Sequence, residues 1–151
     1  MTEFKDGIKL SGSVRKQLFN ENGVCIYDHT DHNLVVNAGL AFLASYLVTA
    51  TPPFMSWMGL GTGVTAPAAG DTALTTPLPT YVQGVLSSPS SAVWQNVTTF
   101  PAGTNTNAAI TEAGLFSTGA PGTMFAHQVF SPINKGVGNA LVVTWQVSLS
   151  A

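Results

Sequence analysis

The sequence is poor in charged residues. Five basic and seven acidic side chains among 151 residues make up 8% of the chain and leave a formal net charge of −2, whereas about a quarter of an average soluble domain is charged. Nine of these twelve charges lie before residue 32. Because interfaces are depleted of charge at their cores, the nearly uncharged remainder predicts a protein that assembles. Without net positive charge, we do not expect nucleic-acid binding.

Cysteine and long apolar runs are also scarce. Cys25 is the single cysteine, which excludes an intrachain disulfide framework and suits a reducing cytoplasm. The longest apolar run, residues 38–50, falls short of the ~18–20 residues that cross a membrane. The first ten residues carry acidic side chains and no apolar core, which is untypical of a secretory signal. We therefore expect a chain made in the cytoplasm without a membrane-spanning segment.

Motifs of common catalytic and cofactor sites are missing. There is no Gly-x-Ser-x-Gly elbow and no His-Glu-x-x-His zinc helix. Gly59, Gly61 and Gly63 suggest a phosphate-binding loop, but no lysine follows them and their spacing does not fit the dinucleotide fingerprint. We interpret these glycines as turn formers. The sequence thus predicts no catalytic residue and no cofactor.

Two isolated carboxylates leave one catalytic alternative. Asp71 and Glu112 are the only acidic residues after Asp31, and two carboxylates about 5–10 Å apart in a cleft are the machinery of a glycosidase. Each also has a simpler interpretation. Asp71 would cap a short helical turn over residues 72–74, and Glu112 would pair with Lys135 or accept a backbone N–H. We favour these structural roles.

A short segment is rich in possible metal ligands. Asp28, His29, Asp31 and His32 fall within five residues, and imidazoles and carboxylates ligate zinc and other divalent ions. A metal site needs ligands from more than one element, and the only other histidine, His127, lies far along the chain. We interpret the segment as a polar loop and predict no metal.

The three tryptophans have two interpretations. Trp57, Trp94 and Trp145 would suit a surface on which sugar rings stack. They also lie in segments that alternate like strands, where a tryptophan is more often part of the core. We favour the core.

Apolar residues recur with the period of β-strands. Residues 8–18 place Ile, Leu, Gly, Val, Lys and Leu on one face and polar side chains on the other. Asn22-Gly23 then predicts a tight turn before a strand over residues 24–27. The chain therefore opens on a charged β-hairpin. The clearest alternation is the last one, over residues 141–149.

Between these ends we predict one helix and several strands. Asn37 would cap a helix over residues 38–48 that is mostly buried, and Pro52-Pro53 would stop it. Further strands are predicted over residues 33–36, 54–60, 82–86, 92–100, 110–116 and 123–130.

These elements predict the fold class. Roughly eight strands at 8–15-residue spacing and one inserted helix indicate a mainly β protein with an antiparallel β-sandwich or jelly-roll-like fold. We expect a single domain over residues 1–151. Within it, residues 1–32 form a charged hairpin that could act as a docking arm, and residues 33–151 form the helix and the sandwich body.

Three blocks of the sequence resemble a family of small structural proteins of tailed-bacteriophage virions. The first is Asn-Leu-Val-Val-Asn-Ala-Gly-Leu-Ala-Phe-Leu at 33–43, and the second runs from Met-Gly-Leu-Gly-Thr-Gly at 58–63 to Gly-Asp-Thr-Ala-Leu at 70–74. The third is Ile-Thr-Glu-Ala-Gly-Leu-Phe at 110–116, followed by Gly-Thr-Met-Phe-Ala-His at 122–127 and by a last strand after residue 136. Many relatives are expected to carry a basic residue soon after the second block, where this chain has Pro79-Thr80-Tyr81.

The resemblance implies a non-enzymatic structural protein of the phage particle. One placement is a capsid decoration (cement) protein, a homotrimer bound over junctions between major capsid proteins. The other is a tail component such as a fibre, tip or adaptor protein. The compact length without fibrous repeats favours decoration. A module that binds host glycans is a third alternative, carried by the tryptophans.

The charged hairpin is the predicted partner-binding site. Its basic residues are Lys5, Lys9, Arg15 and Lys16. We expect them to pair with acidic groups of a major capsid protein or of tail proteins.

Overall fold

Ten strands and one helix form the part of the chain that the computed structural model describes, which is residues 7–48, 54–106, 108–120 and 122–151. All strand pairs are antiparallel. The elements in chain order are β1 Lys9–Phe19, β2 Cys25–His32, β3 Leu34–Val35, α1 Asn37–Tyr46, β4 Trp57–Gly61, β5 Val82–Gln83, β6 Val85–Ser90, β7 Val93–Phe100, β8 Ala108–Phe116, β9 Met124–Lys135 and β10 Ala140–Ser150.

The strands form two five-stranded sheets, as the predicted β-sandwich requires. Sheet A has the order β2-β1-β10-β7-β6, and sheet B has the order β3-β9-β8-β4-β5. The last strand of the chain is thus the centre of sheet A. It pairs with β1 from Lys9–Ser150 to Phe19–Ala140, so the two ends of the described chain stabilise one sheet.

The core lies between the sheets and follows the predicted alternation. On β10, every second residue from Leu141 to Val147 is buried, and on β1 the buried positions are 12, 14, 16 and 18. Sheet B contributes Met58 and Leu60 of β4 together with apolar residues of β8 and β9. Fully burying a side chain of this size contributes roughly 1.5–3 kcal/mol.

Strand β8 is buried on both of its faces. Ala113 and Leu115 belong to the core between the sheets. The outer face carries Phe116, which packs with Leu74, Val36 and Met124 in a second apolar cluster. Residues 62–78, which we name the crossover loop, supply Leu74 and therefore cover this outer face of sheet B.

Helix α1 differs from the prediction in its N-cap, its end and its burial. Its N-cap residue is Val36 rather than Asn37, no side chain caps it, and the helix ends at Tyr46. It contacts β9 closely at Gly39, where an added Cβ would lie 2.8 Å from the Cα of Phe125. Gly39 is its only buried residue, so the expectation of a mostly buried helix is wrong. The apolar composition of a helix does not by itself predict that other elements bury it.

Other differences concern segments that lie outside the predicted strands. The segment of Asp28 and His32 continues β2, the serine-rich stretch at 87–90 belongs to β6, and β9 extends to Lys135. In each segment the backbone pairs with a neighbouring strand, so polar side chains or a proline did not prevent strand formation. The predicted helical turn at residues 72–74 is absent, because that stretch has no helical backbone.

Candidate functional site

The charged hairpin lies at one edge of sheet A. Strand β2 is the edge strand, and β1 lies between β2 and β10. The hairpin is therefore an integral part of the sandwich, not an arm attached to it. Lys9 and Arg15 are exposed on β1, as partner binding requires. Lys5 lies outside the described residues.

Arg15 is already paired within the hairpin. Its Nε and Nη2 atoms donate to the two carboxylate oxygens of Asp28 at 2.9 and 2.6 Å. This hydrogen bonding lowers the pKa of Asp28 and raises that of Arg15. The pair is exposed, so a partner can reach it, but the Arg15 charge is partly balanced before any partner binds.

Lys16 is not available to a partner, unlike the prediction. Its side chain has 0% exposure, forms an ion pair with Asp31 and lies 4.4 Å from the ring centroid of Phe130. Burial lowers the pKa of the ammonium, and Asp31 opposes that effect. Lys16 belongs to the core face because even-numbered residues of β1 point inward. It has a structural role.

The acidic and imidazole groups of β2 do not converge. Asp28 pairs with Arg15, while Asp31 contacts Lys16 and His29. Within the described ranges, no group of three or more His, Cys, Asp or Glu side chains has the geometry to hold a metal ion.

Glu112 occupies the most elaborate polar site in the structure. Its carboxylate has no exposed surface. Oε1 accepts the backbone N–H groups of Gly63 (3.1 Å) and Thr76 (2.7 Å), and Oε2 accepts that of Thr75 (3.0 Å). The two ends of the crossover loop also pair with each other, since Thr62 N–H donates to Thr76 O at 2.9 Å. Glu112 therefore fastens both ends of the loop to β8.

His127 links Glu112 to Asp71. The ring is buried on β9, with Nε2 3.0 Å from Oε2 of Glu112 and Nδ1 2.8 Å from Oδ2 of Asp71. Asp71 also accepts the N–H of Ala68 at 2.8 Å. It does not cap a helix, and Glu112 does not pair with Lys135. The interpretation of Glu112 as an acceptor of backbone N–H groups is confirmed.

Both ring nitrogens of His127 face oxygens that already accept a backbone N–H. Oδ2 of Asp71 accepts from Ala68, and Oε2 of Glu112 accepts from Thr75. The imidazole ring thus connects a carboxylate of the crossover loop with one on β8. We name Asp71, His127 and Glu112 the buried latch.

The glycines beside Glu112 are needed for close approach. An added Cβ at Gly61 would lie 2.6 Å from Thr76 O, and one at Gly63 would lie 2.6 Å from Oε1 of Glu112. Neither glycine has a positive φ, in contrast to Gly23. Their interpretation as turn formers is wrong, because the carboxylate takes the space of a side chain.

Lys135 anchors a different loop. Its Nζ donates to the carbonyl oxygens of Pro101 (2.9 Å) and Thr104 (2.8 Å). Burial lowers its pKa. The side chain therefore fixes the loop that precedes β8 and takes no part in the buried latch.

An apolar groove of about 250 Å³ opens beside α1. Phe42, Leu43 and Tyr46 form one wall, and Phe54, Leu86 and Trp94 line the rest with Met55 and Phe125. Several large apolar side chains of α1 and of the groove are exposed to solvent, among them Leu47 at the C-cap of α1, at 85%. We name as the apolar face the groove residues Leu43, Tyr46, Phe54 and Leu86 together with Leu40 of α1 and Leu47 at its C-cap.

The tryptophans are distributed between core and groove. Trp145 is fully buried in the core, and Trp57 packs against the second apolar cluster. Trp94 lines the groove and meets the ring of Phe125 edge-on at a centroid distance of 5.4 Å. The three side chains thus lie in different surroundings and do not form one stacking surface.

The site separates into three parts with different chemistry: a charged edge, a buried latch and an uncharged apolar face. The groove is lined by none of the latch residues, and both oxygens of Glu112 and Oδ2 of Asp71 are engaged by backbone N–H groups or His127. The latch was missed by sequence reasoning because its residues are 15 to 56 positions apart. No local pattern around His127 signals it.

The comparisons with known proteins add nothing to the resemblance to virion proteins, which depends on the three sequence blocks alone. No family profile matches the chain, and neither curated proteins nor solved structures gave a significant match. Among the described residues, no helix has the length and hydrophobicity to cross a membrane.

Proposed function

We propose that this chain is a non-enzymatic structural protein of a bacteriophage virion, most specifically a capsid decoration protein that assembles with itself and binds major capsid proteins. The observation that carries the proposal is the segregation of its surface. Charged residues concentrate on the β1–β2 edge, whereas residues 32–70 and 72–111 contain no Asp, Glu, Lys or Arg. Such a surface is typical of a protein that is permanently bound to other proteins, because interfaces are depleted of charge at their cores.

The charged edge is the part that would meet the capsid. Lys9 and Arg15 are exposed there, and charge complementarity across an interface fixes partner choice and orientation. Lys16, being buried, is not part of this contact. The resemblance to virion proteins supports the same placement, with the body of the sandwich on the particle surface.

The proposal is tested by binding of the purified protein to capsids that lack it. The protein should co-sediment with them, and the double variant Lys9→Glu/Arg15→Glu should bind more weakly, with the difference shrinking at high salt. Glu21→Gln is the matched control, because it changes an exposed charge in the same hairpin without removing a basic group. Equal binding by the double variant would refute the charged edge as the docking surface.

A tail placement is the second candidate. The observation that favours it is the open edge of sheet A, where β6 is exposed at all six positions and ends the sheet. Such an edge can pair with a strand of a neighbouring protein. Binding to purified tails rather than to capsids would support this alternative.

A further inference from the structure

We propose that the apolar face of α1 and β6 is the surface on which a second copy of this chain binds. This inference rests on the proposed function, since it names the contact through which the protein would assemble with itself. The surface centres on the groove between α1 and Leu86, with Trp94 at its base.

The exposed area fits an interface of ordinary size. If a fully exposed side chain of this size offers about 150 Å², the apolar face exposes roughly 400 Å² of apolar surface. A standard interface buries about 800 Å² per partner, of which somewhat more than half is apolar. The face therefore supplies most of the apolar share of one side of such an interface. The apolar face is as large as the largest contiguous apolar patch of a typical monomer, which measures about 300–600 Å² and is often functional.

The charge pattern selects the occupant. Neither α1 nor β6 contains an acidic or basic residue. A charged partner side chain would lose its hydration against this face without gaining an ion pair, which is costly. The partner surface must therefore be uncharged and apolar as well. A second copy carries such a surface, because the same face is complementary to itself in chemistry.

The charged edge is unsuited to cover the apolar face. Arg15 and Asp28 lie on β1 and β2, at the opposite edge of sheet A from β6. Self-association through the apolar face would thus leave the charged edge free for another protein. This division assigns one surface to copies of the chain and the other to a different partner.

Two matched substitutions test the surface. Leu47→Lys places a charge at the C-cap of α1, where the side chain is largely exposed. Val137→Lys is the control, since Val137 is an exposed apolar residue in the turn after β9, at the other end of that strand from Phe125. Sedimentation velocity over a wide range of concentrations gives the oligomeric state, and circular dichroism reports whether each variant is folded.

We expect the unaltered protein and Val137→Lys to form the same oligomer, and Leu47→Lys to be a folded monomer. The inference is overturned if the unaltered protein is a monomer at every concentration, or if Leu47→Lys assembles as the unaltered protein does. A monomer that nevertheless co-sediments with capsids would refute this inference and leave the proposed function unaffected. An oligomer that binds neither capsids nor tails would refute the proposed function and leave this inference unaffected.

Cross-linking provides a second readout that does not depend on a disruptive charge. A photo-cross-linking amino acid in place of Leu47 should yield a covalent product between two copies, joined to α1 or β6 of the second copy. Products joined to the β1–β2 edge, or only within one chain, would contradict the inference. So would selective capture of a different virion protein with no self-product, since that result assigns the face to another occupant.

Discussion

The Nε2 atom of His127 lies 3.0 Å from Oε2 of Glu112, a carboxylate that also accepts three backbone N–H groups and has no exposed surface. Those N–H groups belong to both ends of the crossover loop. A single carboxylate thus binds both ends of a segment of seventeen residues (62–78) that covers the outer face of sheet B.

Glu112→Gln should destabilise the fold strongly. An amide presents one NH₂ group, and at either oxygen position that group would face a backbone N–H of the loop. Because each buried donor left unsatisfied costs about 1–3 kcal/mol, we expect a loss of roughly 3 kcal/mol in the free energy of unfolding. Urea denaturation measures it, with the exposed Glu21→Gln as control. A loss below 1 kcal/mol would contradict the role given to Glu112.

Gly63→Ala should act on the same contact from the loop side. A Cβ there would lie 2.6 Å from Oε1 of Glu112, so the carboxylate must move. Overpacking of this kind typically costs about 1–3 kcal/mol. Gly70→Ala is the matched control in the same loop, because nothing lies within 4 Å of its added Cβ and its φ is not positive. Equal melting temperatures of the two variants would show that close approach does not require Gly63.

Acid should weaken the latch through Asp71. The hydrogen bond from the backbone of Ala68 and that from His127 lower the pKa of Asp71 below its ordinary 3.8. A group with a lowered folded pKa stabilises the protein above its unfolded pKa, and this contribution is lost as the pH falls through the folded value. Asp71→Asn should therefore flatten the dependence of melting temperature on pH below about 4. If the melting temperature of Asp71→Asn falls with pH as steeply as that of the unaltered protein, the stabilising role given to the Asp71 carboxylate is wrong.

Lys16→Ala should reduce the free energy of unfolding by about 2–3 kcal/mol. The substitution removes a buried aliphatic side chain that contacts Phe130, and it removes the ammonium group that pairs with the Asp31 carboxylate. Lys9→Ala, at an exposed position of the same strand, should change it by less than about 0.5 kcal/mol. Urea denaturation of both variants measures the difference. Similar values would contradict the structural role given to Lys16.

The sequence predicts features that depend on neighbouring residues better than features that depend on contacts between distant parts of the chain. The alternation over residues 141–149 and the Asn22-Gly23 turn follow from local geometry, and the structure has β10 and the hairpin there, with Gly23 at φ 74°. The surroundings of α1 depend on distant elements, so its exposure was not foreseen. The latch joins Asp71, Glu112 and His127 across two strands and a loop, and no spacing in the sequence encodes that meeting.

The central claim is that this chain is a structural part of a phage particle, and the content of purified particles tests it most directly. Particles of the phage that encodes it would be purified on a density gradient, and the chain would be quantified by mass spectrometry against the major capsid protein. The account predicts many copies per particle, in a fixed ratio to the capsid protein. Absence from purified particles, despite synthesis of the chain in infected cells, would contradict it.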